Sequence, residues 1–251
     1  VSELFFNLLI SIGSGLFVAF GVPRIRDTVQ KRRLRGFWGN GALGNDFILC
    51  YGALTDSRLT EPNPPKFRYV KRFHSGRSFS LVGPWGSIVG ACEVRSASYI
   101  INTLSSYRKT PITFTDDYTA FQNLNTTLIA FGSGSSNEVT DFILREPENR
   151  FLNFVQEDET YFVYDKITKK KFIGFQLPIK KDYGIILKIP NQRCRGQFLF
   201  VCAGLGEWGT SGAAWYLATN WKELNSEFHG SFGIVVEVDL GSDTSSKRVF
   251  P

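Results

Sequence analysis

The sequence predicts an α/β fold built on a mainly parallel sheet with a β-hairpin insertion, preceded by one transmembrane helix. Three observations predict it. Short apolar runs alternate with helix-like stretches along most of the chain, the pattern of strand–helix–strand units. Three strand-to-helix junctions are rich in glycine. The first residues form a long run without charge.

That run is LFFNLLISIGSGLFVAFGVP, residues 4–23, and its length matches the hydrocarbon core of a bilayer. Glu3 precedes it and arginines follow it, the reverse of a signal peptide. Residues 1–23 are therefore expected to cross a membrane once. The positive-inside rule then places the rest of the chain in the cytoplasm. Ser11, Gly15 and Ala19 share one face of this helix, a small-residue seam that suits helix association in lipid and a homo-oligomer. Ordinary glycine usage in a membrane helix is the other explanation of the seam.

Residues 24–45 read as a basic juxtamembrane linker. RIRDTVQKRRLR, residues 24–35, holds six basic residues and one acid in a chain of net charge +6, so the remainder is close to neutral. The high isoelectric point thus reflects one patch. It suits contact with anionic lipid and does not imply a nucleic-acid-binding surface.

Residues 46–251 read as one domain. NDFILCYG is its first buried strand. Ala53 to Lys71, with Pro62, Pro64 and Pro65, is expected as a long loop. SFSLV is a short strand, and a helix is expected from about Ser87 to Ser106. PITFTDD and TTLIAFGSG are two more strands, and SSNEVTDFILRE is a helix opened by capping residues. FVQEDETYFVYDKITKKKFIGFQLP alternates and turns near Asp165 to Lys170, as a hairpin does. DYGIILKIPN and QFLFVCAG follow as strands, then a helix from Gly212 to Leu224, then the strand GIVVEVDL. The tail GSDTSSKRVFP is polar and expected to fray. With 23 phenylalanines the core should be rich in ring contacts. Cys50, Cys92, Cys194 and Cys202 lack metal-ligand spacing and read as free thiols in a reducing compartment.

The glycine junctions carry the functional expectation. Gly204, Gly206 and Gly209 are spaced G-x-G-x-x-G between a strand and a helix, the arrangement that admits a phosphate to a helix N-terminus. Thr210 and Ser211 follow as hydroxyl donors or caps. An ordinary dinucleotide domain is not indicated: the motif lies near the end of the chain, and the acids of the next strand, Glu237 and Asp239, arrive late. A close strand-to-helix contact without a ligand accounts for the spacing equally well.

Two further junctions, VGPWGS and FGSGSSN, widen the site. In an open sheet such turns gather beyond the carboxyl ends of the strands. The expected ligand-binding set is Gly83, Trp85, Ser87, Gly132, Ser133, Ser135, Asn137, Gly204, Gly206, Gly209, Thr210 and Ser211. Trp208, like Trp85, is a candidate to stack on a base. Arg77, Arg95 and Lys188 are candidate phosphate partners, with solvated surface charge as the ordinary alternative.

No G-x-S-x-G elbow and no Walker lysine occur in the chain. His74 and His229 are its only histidines, too few for a metal cluster or a histidine-based triad. Neither a metal nor a cofactor is expected. Glu93, Asp182 and Glu207 are the acids nearest the expected pocket, as nucleophiles or as structural carboxylates.

SLVGPWGSIVGACEVRSA, LIAFGSGSSNEVTDFIL, KDYGIILKIPN and FVCAGLGEWGTSGAAWYL resemble the Rossmann-like sensor domains of the SLOG type, over roughly residues 46–240. The resemblance implies a Rossmann-like domain that binds a nucleotide-derived ligand. A membrane helix fused to it resembles bacterial antiviral effectors that damage the inner membrane on a nucleotide signal. Three readings stand: a membrane-anchored nucleotide receptor or effector, a membrane-anchored nucleotide hydrolase or glycosidase, and a membrane scaffold whose turns bind nothing.

Overall fold

The computed structural model describes residues 22–56, 68–72, 78–82, 88–108, 110–158, 160–174 and 180–251. In chain order the elements are α1 (Val22–Trp38), β1 (Phe47–Tyr51), β2 (Ala53–Asp56), β3 (Arg68–Arg72), β4 (Ser78–Val82), β5 (Ile88–Val89) and α2 (Ala91–Ser105). Then come β6 (Thr113–Asp116), α3 (Asp117–Phe121), β7 (Thr127–Phe131), α4 (Glu138–Arg145), β8 (Leu152–Glu157), β9 (Thr160–Asp165) and β10 (Lys171–Ile173). β11 (Lys181–Pro190), β12 (Phe198–Gly204), α5 (Glu207–Glu227), β13 (Phe232–Asp239) and β14 (Lys247–Phe250) follow among the described residues.

The main sheet has seven strands in the order β14-β13-β11-β12-β7-β1-β6. It is α/β as expected, but mixed. β6, β1, β7 and β12 run parallel, whereas β11 is antiparallel to both its neighbours and β14 is antiparallel to β13. A parallel neighbour needs a crossover element, and only a short loop joins β11 to β12, so that pair closes as a hairpin. Strand side chains alternate between two cores. Phe47, Leu49, Phe131 and Phe200 face α1, α2 and α5. Ile48, Cys50, Ala130 and Val201 face α4 and the β8–β10 layer.

Several expectations change. The hairpin insertion is a three-stranded meander, because the chain also reverses between β8 and β9, with Asp158 at φ +52°. The proline-rich loop begins and ends in strands: β2 pairs with β3 and β5, and β4 completes this small antiparallel sheet. Four-residue strands beside prolines leave little periodicity to read. The tail is not frayed: Asp243 is buried and β14 pairs along β13. The segment read as a linker is α1, whose end is core: Leu34, Phe37 and Trp38 are fully buried. Among the described residues no helix is long and apolar enough to cross a membrane. Of the expected span only Val22 and Pro23 are described, as the start of α1; the seam at Ser11, Gly15 and Ala19 lies outside the described residues.

Candidate functional site

The chain leaves β1 toward β6 on one side and returns to β7 on the other. The carboxyl ends of β1 and β7 therefore form a topological switch point, the place where open α/β sheets leave a crevice. A cleft of about 300 Å³ lies there, extended to β12 and the starts of α2 and α5. Its walls are Gly52, Gly90, Cys92, Glu93, Gly132, Ser133, Ser136, Gly204, Leu205, Gly206, Glu207 and Thr210.

Local chemistry explains the shape. At the start of α2, Glu93 turns back to its own helix end. Its Oε2 accepts the Gly90 amide at 3.1 Å and its Oε1 accepts the Gly52 amide at 3.1 Å. The carboxylate thus joins the end of β1 to the helix and is itself buried. Gly132 stands opposite at φ +90°, where a Cβ would meet Glu93 Oε1 at 2.7 Å. Only glycine serves there, both for conformation and for space. Asp117 adds a second tie, accepting the Ala53 amide at 3.4 Å and the Glu138 amide at 2.7 Å. Asn137 caps α4 through the Thr140 amide and donates to the Phe131 carbonyl at 2.8 Å, which holds the Ser133–Ser136 turn against β7.

The G-x-G-x-x-G turn is organised from within. α5 begins at Glu207 rather than Gly212, because Asp182 of β11 supplies its cap. Asp182 accepts the amides of Tyr183 at 2.8 Å, Gly206 at 3.1 Å and Gly209 at 2.6 Å. The Thr210 hydroxyl accepts the Gly204 amide at 2.9 Å and donates to the Gly206 carbonyl at 3.1 Å. A Cβ on Gly204 would overlap the Thr210 amide, and one on Gly209 the Tyr183 carbonyl, so both are packing glycines. Of the first-turn donors of α5, the amides of Glu207 and Trp208 have no protein acceptor among the described residues.

Compared with family models, with curated proteins and with solved structures, the chain matches nothing in any of the three. The reading of the site therefore rests on its geometry.

Of the residues expected from sequence, the structure brings Gly132, Ser133, Gly204, Gly206 and Thr210 to the cleft. Ser135 is exposed beside it, its hydroxyl 2.7 Å from that of Ser133. Asn137 and Gly209 are buried behind it. Ser211 points away, donating to Asp243 or to the Glu207 carbonyl and accepting from Arg95. Gly83, Trp85, Ser87 and Arg77 lie outside the described residues. The Trp208 ring carries the Arg95 guanidinium 4.6 Å from its centroid, and Arg95 is also bonded to Asp243. Lys188 is buried at the opposite edge of the sheet.

Gly52, Gly90, Cys92, Ser136 and Leu205 were not in the expected set. The G-x-x-E spacing of Gly90 and Glu93 is a capping signature and marks one of them. Cys92 lines the cleft, but burial, then the Glu93 charge, push its thiol up to about 11, so it is not a ready nucleophile. The cleft holds Glu93 and Glu207 and is lined by no cation among the described residues. No group of described residues has the composition of a metal site.

Proposed function

We propose that the chain is a membrane-anchored receptor for a nucleotide-derived ligand, bound in the switch-point cleft and serving in bacterial antiviral defence. The observation that carries the ligand reading is the crevice itself, where β1 and β7 part and three glycine-edged strand ends converge. Its volume is at the small end of ligand clefts, enough for one nucleoside-sized group. Ribose hydroxyls and base N–H groups donate to the exposed carboxylate of Glu207. Phosphate lies toward the Ser133 and Ser136 hydroxyls and the Glu207 and Trp208 amides, at the positive end of α5. Apolar residues 4–23 and the basic run after them support the anchor.

Turnover of the ligand is the second reading, supported by the paired acids. Receptor binding is favoured because both Glu93 oxygens already hold backbone amides, which fixes that carboxylate as part of the wall. Calorimetry of the full chain with NAD, ADP-ribose and a cyclic dinucleotide tests the proposal, with chromatography of each mixture for products. Ser133→Trp fills the cleft from a partly exposed position and should weaken the bound probe at least about ten-fold while circular dichroism is unchanged. Equal binding by that variant removes the cleft as the site, and product formation replaces the receptor with the hydrolase.

A further inference from the structure

The cleft and α1 lie at opposite edges of the main sheet. Glu93, Asp116, Asp182 and Glu207 lie at the carboxyl edge, around the cleft. α1 lies at the amino edge. Its end meets the starts of β7 and β12, with the Asn40 amide on the Gly196 carbonyl at 2.9 Å and Gly39 against Thr127. Midway along it, Gln30 bonds the Tyr107 hydroxyl just past the end of α2. The helix carries Arg24, Arg26, Lys31, Arg32, Arg33 and Arg35, all exposed. Asp27 is its one acid and pairs with Lys31 at 2.6 Å. Exposed Arg195, in the β11–β12 loop, extends the same basic edge.

We propose that α1 lies on an anionic phospholipid surface and that this contact points the ligand cleft away from the bilayer. The inference rests on the membrane-anchored part of the function above. An anionic surface attracts the cations of α1, and the cleft lies at the opposite edge of the sheet, so contact through α1 turns the cleft away. Two features select lipid over a nucleic acid. Ile25 and Val29, on one stripe of α1, are 55% and 46% exposed among the arginines. Apolar side chains between cations sink below lipid headgroups, whereas a phosphate backbone offers them no apolar layer. The uncharged run 4–23 ends where α1 begins, which delivers the helix to the interface.

Hydrogen exchange of residues 24–33 tests this, on the full chain in nanodiscs of phosphatidylcholine alone or mixed with phosphatidylglycerol. Each cation near an anionic surface strengthens the contact about five-fold. Exchange should therefore slow at least about ten-fold in the anionic discs and recover at high salt, where the attraction is screened. The combined change Arg24→Gln, Arg26→Gln, Arg32→Gln and Arg33→Gln should remove the difference while leaving the circular dichroism intact, since all four side chains are exposed. Equal exchange in both discs overturns the proposal and leaves the anchor standing. Stronger protection by added RNA overturns it in favour of a nucleic-acid surface. Protection that follows protein concentration without lipid overturns it in favour of a second copy. A chain that enters neither disc overturns the anchor and this inference together.

Discussion

Asp182 and Lys188 stand at opposite ends of β11, and both are buried. Asp182, at the carboxyl edge, accepts three backbone amides from its own strand and from the turn into α5. Lys188, toward the amino edge, faces rings instead: its Nζ lies 4.5 Å from the centroid of Phe37 and 4.1 Å from that of Phe198. Burial raises the Asp182 carboxyl above its ordinary range despite the amides, and lowers the Lys188 ammonium to about 7. The difference lies in what each edge offers. Strand ends and a helix start at the carboxyl edge leave N–H groups directed inward, and these suit an anion. The amino edge beneath α1 is an aromatic cluster, which meets a cation only through ring faces. At the G-x-G-x-x-G turn the Gly206 and Gly209 amides are thus committed to the protein's own carboxylate, which leaves those of Glu207 and Trp208 for a ligand phosphate.

The largest effect should come from breaking that commitment. Asp182→Ala leaves three amides without their acceptor at a buried turn and should cost about 3–5 kcal/mol in urea unfolding. Asp182→Asn keeps an acceptor and should cost less. It also isolates the titration. The folded chain holds the Asp182 proton above the ordinary carboxylate range, so this group's contribution to stability falls as pH rises through that range. The asparagine variant should lack this slope. An unchanged slope would assign it to other carboxylates.

Lys188→Met tests the other end, with opposite sign. An unfolded lysine keeps its proton to about 10.5, whereas folded Lys188 releases it near 7. Between those values the unfolded chain binds more protons, so wild-type stability rises with pH across the window. Methionine should stabilise the protein by about 2 kcal/mol below pH 7. The gain should shrink as pH approaches 10.5. Thermal unfolding at several pH values measures it. A destabilised Lys188→Met protein at every pH would mean that the ring contacts outweigh the burial of charge.

This contrast also marks what the sequence discloses. Strands such as β1, β7, β11, β12 and β13 are short apolar runs with turn residues at their ends, so periodicity finds them. Asn137 is legible as a cap because its partner, the Thr140 amide, is local. The Asp182 cap is not legible, since its donors at Gly206 and Gly209 lie more than twenty residues away, in the turn into α5 and its first turn, and without it the start of α5 is misplaced. The same holds for α1. Its charges advertise solvent and lipid, while the buried faces of Leu34, Phe37 and Trp38 become evident only once Phe200 and Trp221 are placed against them. A glycine fingerprint reports a close approach of backbone without saying what approaches. Here Tyr183 and the Thr210 amide account for two of its three glycines.

Thr210 gives the smallest and most discriminating effect. Sequence alone casts its hydroxyl as a phosphate donor or a helix cap, and it does line the cleft. In the structure its oxygen bridges the Gly204 amide and the Gly206 carbonyl, so its bonds serve the turn. Thr210→Ala should therefore cost about 1 kcal/mol of stability, and Thr210→Ser, which keeps the oxygen, should restore most of it. Affinity for a nucleotide probe that Ser133→Trp excludes should stay within about two-fold in both variants, because the hydroxyl is already engaged. Calorimetry alongside urea unfolding separates the two quantities. A ten-fold loss of affinity in Thr210→Ala, about 1.4 kcal/mol, with unchanged stability would show the hydroxyl turned to the ligand. Thr210 would then join the Glu207 and Trp208 amides at the phosphate.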